Sequence, residues 1–283
     1  MDDQGTLASS AAAGIAGYQE FLAARDGEPN GHALTLARRE DFFQGLARAP
    51  VRATTPIDRD AYLRNLRRRR IEDGLDARVL WLLATAKVNQ AERFTVGLMD
   101  LYGMLVPDPP EPLRTHVYLQ EAYHTRMLAD VVAMFDLPSH AGPPPLAARM
   151  IAMAVVSVPE RWRLPLVCCG EMVGCRTMQM LRDRGVELFA GEPQVVERLR
   201  VLYDEILADE ASHAGFAAAR LGAVGRRMAR ALYRALSVRM ASQLPELVAL
   251  FGREGIVREL RRPFRLQDLV EEFPGRAYAA ALI

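Results

Sequence analysis

Asp204-Glu205-Ile206-Leu207-Ala208-Asp209-Glu210-Ala211-Ser212-His213 is the stretch that decides how this chain reads. It has the composition of a long helix, and Glu210 and His213 stand three residues apart in it. On a helix that spacing puts two side chains on one face, about 5–6 Å apart at Cβ. A carboxylate and an imidazole placed that way can hold one metal ion together. A single Glu-x-x-His arises by chance on any polar helix face, so the rest of the chain has to supply partners. A second pair, Glu121 and His124, lies in Gln120-Glu121-Ala122-Tyr123-His124-Thr125. Two more carboxylates, Glu92 and Glu171, sit alone in apolar segments, Glu171 within Cys168-Cys169-Gly170-Glu171-Met172-Val173. The order along the chain is therefore Glu, Glu-x-x-His, Glu, Glu-x-x-His.

Working outward from that set, strand signals are nearly absent. Apolar residues recur at three and four, and Ala, Leu, Arg and Met dominate, all good helix formers. The pattern predicts helices over about 76–106, 112–136, 146–157, 160–184 and 193–221. Pro107-Asp108-Pro109-Pro110 closes the first, Pro112 opens the second, Gly185 stops the third long helix, and Pro193 precedes the fourth. A further amphipathic helix over about 223–251 contains Pro245, where a kink or break is expected. The tail, 262–283, carries Pro263 and Pro274 and is expected to wrap the outside. Residues 1–74 read as a helical extension, with helices near 8–24 and 32–47 broken between Asp26 and Gly31. A short helix then carries Arg67 to Arg70. Four arginines in a row can touch phosphate, but a solvated or salt-bridged face is the simpler reading. No repeat of fixed period is visible.

Composition bounds the rest. Of 283 residues half are apolar and a quarter charged, with a formal net charge of +1. That is ordinary for a globular domain and gives no global pull towards nucleic acid or anionic membrane. Lys87 is the single lysine, so Schiff-base chemistry is not expected elsewhere. The three cysteines, Cys168, Cys169 and Cys175, fall in one segment and form neither a disulfide framework nor a zinc site. A reducing cytoplasm fits them best. The start, Met1-Asp2-Asp3, lacks the basic and apolar regions of a signal peptide, and no apolar run is long enough to span a membrane.

The ordered set of six matches the ligand pattern of di-iron and di-manganese carboxylate bundles. Four carboxylates neutralise the roughly four positive charges of two metal ions, and two neutral imidazoles complete the set. The heights agree as well. Glu92 lies roughly 14 residues before its helix end and Glu121 roughly 9 after the next start, while Glu171 and Glu210 give roughly 13 and 17. At about 1.5 Å per residue, antiparallel neighbours would bring all four into register within the error of the boundaries. The long connection over 137–159 matches the one crossover that a ferritin-like bundle needs. The expected fold is all-α: a ferritin-like four-helix bundle over 75–221, with residues 1–74 packed on it and 222–283 adding C-terminal helices and tail, all one structural domain.

Around the ligands, Asp209 can point to the imidazole on the opposite helix, His124, and fix its tautomer. Gln120 holds the equivalent place before Glu121 and can serve His213. Cys168 and Cys175 share the face of Glu171, as pocket lining or as small core residues. His32, His116 and His140 have no Glu-x-x partner and read as surface or loop histidines. Tyr118, Tyr123 and Tyr203 read first as packing, with a redox role near a metal as the other reading.

The phrases Glu121-Ala122-Tyr123-His124-Thr125 and Asp209-Glu210-Ala211-Ser212-His213 most resemble the p-aminobenzoate N-oxygenase group of bacterial natural-product enzymes, within the ferritin-like di-iron superfamily. The resemblance covers about 76–221. It implies an all-helical protein that activates O2 at a di-iron centre and oxidises an amine or related small substrate. Carried over residue by residue, it makes Glu92, Glu121, His124, Glu171, Glu210 and His213 the ligands. This chain departs from the group at Ile206, where members typically carry an additional histidine ligand. What remains is the six-ligand set of di-iron hydroxylases and desaturases, which leaves N-oxygenation and hydroxylation both open.

The expectation is a non-haem di-iron oxygenase or oxidase of secondary metabolism. Its cofactors would be two Fe ions, cycling between Fe2+ and Fe3+, with Mn in place of one as the variant. O2 and a small-molecule substrate would be its partners, with a reductase or other electron donor and a homodimer as open additions, and neither nucleic acid nor membrane. The alternatives are a ferritin-like iron-storage protein, a di-iron desaturase or radical-type oxidase, and a metal-free helical binding protein.

Overall fold

The computed structural model describes residues 3–26, 32–105 and 112–278, and every regular element among them is an α-helix. In chain order these are α1 (Asp3–Asp26), α2 (His32–Arg48) and α3 (Arg59–Leu66). Then come α4 (Ala77–Leu105), α5 (Pro112–Ala133), α6 (Leu146–Ser157), α7 (Glu160–Leu188) and α8 (Pro193–Ala219). The chain ends with α9 (Ala223–Ala241), α10 (Pro245–Arg261) and α11 (Leu266–Glu272). The expected break at 27–31 and the stop at Pro107 to Pro110 lie outside the described residues. Among the described residues no helix is long and apolar enough to cross a membrane.

Four long helices position the site. α7 packs on α8, α8 on α5, α5 on α4, and α4 on α7, which closes a ring of contacts. α8 is the central member. From Ile206 to Ala219 every residue is buried. The run is mostly Ala, Ser and Gly, small enough for α1, α5, α7 and α11 to close on it from different sides. A helix without an exposed face must satisfy its polar residues internally. Asp209, Glu210, Ser212 and His213 are therefore the residues whose partners define the interior.

Several boundaries differ from the sequence reading, each for a physical reason. α7 does not stop at Gly185 but runs on to Leu188. Gly185 is there for close approach: a Cβ at that position would lie 2.5 Å from Cζ2 of Trp81. Trp81 is fully buried, and its indole nitrogen donates to the Leu181 carbonyl at 2.7 Å, which pins α4 against α7. The arginine run is not helical, because α3 ends at Leu66 with Arg67 as its cap. Arg68 there pairs with Glu72 at 2.5 Å, and its carbonyl accepts from Lys87 at 2.7 Å. Lys87 also pairs with the buried Glu246. At Pro245 the helix breaks, one of the two outcomes expected there: α9 ends at Ala241 and Pro245 opens α10. The tail leaves polar residues such as Arg265, Gln267, Asp268 and Glu271 exposed and turns its apolar ones inward. Phe264, Leu266, Leu269, Phe273, Ala277 and Tyr278 are buried. The backbone N–H of Tyr278 donates to Ser212 Oγ at 3.1 Å, and its hydroxyl donates to the Gly14 carbonyl at 3.0 Å. Tyr278 thus ties α1 to α8.

Candidate metal centre

The ring of α4, α5, α7 and α8 brings together the six residues singled out in the sequence. Glu121, Glu171, Glu210 and His213 each offer one ligand atom, and these four atoms lie within 4.8 Å of one another. His124 Nδ1 is 3.1 Å from Glu210 Oε1 and 3.5 Å from Glu121 Oε2. His213 Nδ1 is 2.8 Å from Glu121 Oε1. The carboxyl of Glu92 lies against that of Glu121, and Glu171 against Glu210. Each carboxylate from a lone-Glu helix is thus paired with one from a Glu-x-x-His helix.

Four carboxyl groups this close cannot all stay ionised without a cation. Burial pushes the Glu92 carboxyl well above its ordinary range, and the charges of Glu121 and Glu210 push it further. Glu171 is raised in the same way by burial and then by Glu210, Glu121 and Glu92. Part of each of these two residues is exposed, yet the carboxyl ends themselves are desolvated against the other acids. Burial also raises Glu121, but the rings of His124 and His213 beside it outweigh that and hold this carboxyl below the usual range. For His124 burial disfavours the imidazolium, while Asp209, Glu121 and Glu210 outweigh that and raise its pKa well above the ordinary value.

The donor set fits divalent metal. The Nδ1 atoms of His124 and His213 are buried and make no hydrogen bond, although carboxylate oxygens lie close to both. Once the imidazole proton is displaced, ring nitrogens converging with carboxylate oxygens are what a cation needs. Oxygen and imidazole donors without thiolate suit iron or manganese. Cys168 and Cys175 do not alter that. Both are fully buried beside Glu171. Burial, with Glu171 nearby, pushes the Cys168 thiol up to about 12, and Cys175 is raised further by burial and by Glu210 and Glu171. Both thiols keep their protons and line the site as apolar groups.

Behind the two histidines lies a polar layer. His124 Nε2 is 3.3 Å from Asp209 Oδ2, and His213 Nε2 is 2.9 Å from Gln120 Oε1. The Gln120 amide nitrogen donates to Asp209 Oδ1 at 2.7 Å. Two residues absent from the sequence reading complete this layer. Arg25 of α1 donates to Asp209 Oδ1 at 3.0 Å, and Arg39 of α2 donates to Asp209 Oδ2. Burial raises the Asp209 carboxyl, but Arg39, then His124 and Arg25, outweigh it and hold it well below its usual range. No spacing could have revealed these arginines, since 184 residues separate Arg25 from Asp209. The one signal was indirect: a carboxylate inside a long run of small and apolar residues demands a cation.

The remaining residues fall elsewhere. His116 is buried in α5 on the stripe that holds Gln120 and His124, not at the surface as expected. His140 is exposed in the connection before α6, and the side chain of His32 lies outside the described residues. Tyr203 shares a hydrogen bond with Thr85 Oγ1 at 3.1 Å, and Tyr123 packs on Phe43 with ring centres 5.8 Å apart. Ile206 is fully buried. The two sides of the centre differ in access. Glu121, His124, Glu210 and His213 are buried, whereas Glu92 and Glu171 are half-buried. A Cβ at Gly170, next to Glu171, would meet only open space, while one at Gly174 would lie 3.2 Å from Glu210 Oε2. No family model, curated protein or solved structure matches the chain.

Proposed function

We propose that this chain is a non-haem di-iron oxygenase or oxidase of ferritin-like architecture. It would activate O2 to oxidise a small organic substrate by N-oxygenation or hydroxylation. The observation that carries the reading is the meeting of two Glu–Glu pairs with two buried, unpartnered imidazole nitrogens. Glu92, Glu121 and Glu171, with Glu210, would neutralise two divalent ions, and His124 and His213 would complete the coordination. Two iron ions in such a set supply reductive activation of dioxygen when bound.

The chain's own residues set the conditions for that chemistry. The buried α5–α8 side excludes water behind the histidines. The half-buried α4–α7 side, with Gly170 open beside Glu171, is where O2 and substrate would approach. Protonated Cys168 and Cys175 give that neighbourhood an apolar lining. Ile206, which offers no donor atom, would leave the metal set to those six residues.

The reading is tested by adding O2 to the iron-loaded, chemically reduced protein while following absorbance and O2 consumption. Consumption near one O2 per pair of irons, lost in Glu210→Ala, is expected. Uptake of tens of irons per chain would favour iron storage, and a response unchanged in Glu210→Ala would refute the site.

A further inference from the structure

The polar layer behind the metal centre fixes the orientation of both histidines, and its logic starts at Asp209. A carboxylate can only accept hydrogen bonds. His124 Nε2, 3.3 Å from Asp209 Oδ2, must therefore carry a proton. Gln120 must turn its amide nitrogen to Asp209 Oδ1, at 2.7 Å, which sends its carbonyl oxygen the other way. That oxygen also only accepts, and it lies 2.9 Å from His213 Nε2. His213 Nε2 must then carry a proton too. Both rings are left with Nδ1 towards Glu121 and Glu210. One carboxylate sets two imidazoles, one directly and one through an amide relay.

Asp209 is itself held from outside the ligand helices. Arg39, 1% exposed, donates Nη2 to Asp209 Oδ2 and Nη1 to Glu205 Oε2 at 2.7 Å. Arg25 donates to Asp209 Oδ1 at 3.0 Å. Arg276, beyond α11, holds the other oxygen of Glu205 at 2.6 Å. The two acids lie one turn apart on α8 and are gripped by arginines from α1, α2 and the tail. A fork that bonds two carboxylates at once fixes the position of both in a way a single point charge does not.

We propose that Arg39, assisted by Arg25, is a positioning residue for both histidines. Through Asp209 and Gln120 it holds His124 and His213 with Nε2 protonated and Nδ1 turned to the four carboxylates, so that α1 and α2 belong to the metal centre. The consequence for metal affinity rests on the metal-binding reading above; the hydrogen-bond arrangement does not need a metal to be observed.

Proton–nitrogen correlation spectra of ¹⁵N-histidine-labelled full-length protein test this, metal-free and after addition of zinc. Exchange-protected Nε2–H signals are expected for both His124 and His213 in the wild type. Arg39→Met is expected to lose the protection of both signals and to weaken zinc binding by about 10- to 100-fold, and Arg39→Lys, a single point charge, to restore only part of both. Gln120→Leu separates the branches: the His213 signal loses protection and the His124 signal keeps it. These last two variants and the wild type carry the test if Arg39→Met does not fold. A wild-type Nε2 without its proton would overturn the proposal. So would an Arg39→Met protein that melts earlier but keeps both signals and its zinc affinity. A wild type that shows both Nε2–H signals yet binds no zinc would count against the metal-binding reading and still support the positioning one.

Discussion

Asp209→Ala is the substitution whose cost can be worked most fully from the structure. Asp209 is 1% exposed and accepts from Arg39, also 1% exposed, and from Arg25, 6% exposed. Removing one partner of a buried ion pair costs about 3–5 kcal/mol, because a charge is left in a poorly solvating interior. Arg39 keeps Glu205 at 2.7 Å, which places the expected loss near the lower end, about 3 kcal/mol. At roughly 2–4 °C per kcal/mol for chains approaching this length, the melting point should fall by about 6–12 °C. The sign of the pH dependence follows from the depressed carboxyl pKa. A group with a folded pKa below its unfolded one stabilises above the unfolded value and loses that contribution as pH falls. The gap between wild type and Asp209→Ala should therefore be full at pH 7 and begin to close below about pH 4. Urea denaturation of metal-free protein at several pH values measures it. A loss under about 1 kcal/mol at pH 7, or a gap that does not narrow in acid, would refute the reasoning.

Other consequences are simpler to state. Glu92, Glu171 and His124 hold protons more tightly folded than unfolded, so the metal-free protein loses stability as pH rises through their raised pKa values. Metal must displace those protons, so the melting-point gain on adding zinc should be larger at pH 8 than at pH 6; an equal or smaller gain would contradict the assignment. Gly174→Ala should weaken metal binding by pressing on Glu210, whereas Gly170→Ala should leave it unchanged, as equilibrium dialysis would show. Gly185→Ala should destabilise the protein by about 1–3 kcal/mol through overpacking against Trp81, read from the denaturation midpoint, with no change in metal stoichiometry.

How much of this was legible in the sequence depended on the range of each interaction. Glu210 and His213 are set by helical geometry over three residues, so their common face could be read directly, as could that of Glu121 and His124. Asp209 and Gln120 were legible as neighbours of ligands, because a helix turns an adjacent residue towards the next helix in the bundle. Arg25 and Arg39 were not, since their contact with Asp209 depends on how α1 and α2 dock, which no local pattern specifies. Gly185 was read as a stop because glycine is a poor helix former; packing against Trp81 overrode that propensity. His116 was read as a surface residue for want of a Glu-x-x partner, although its place four residues before Gln120 puts it on the buried stripe of α5. The tail was read from its prolines as outer wrapping. Its polar residues are exposed, but its apolar ones, from Phe264 to Tyr278, are buried, and Tyr278 bonds to Ser212 of α8.

The central claim is that six side chains from four helices form one site for two metal ions. Anaerobic titration with Fe(II), followed by counting tightly bound iron per chain, tests it most directly. The account predicts saturation at two irons per chain in the wild type and loss of at least one in Glu210→Ala. Saturation at fewer than about two, with Glu210→Ala no different from wild type, would contradict it.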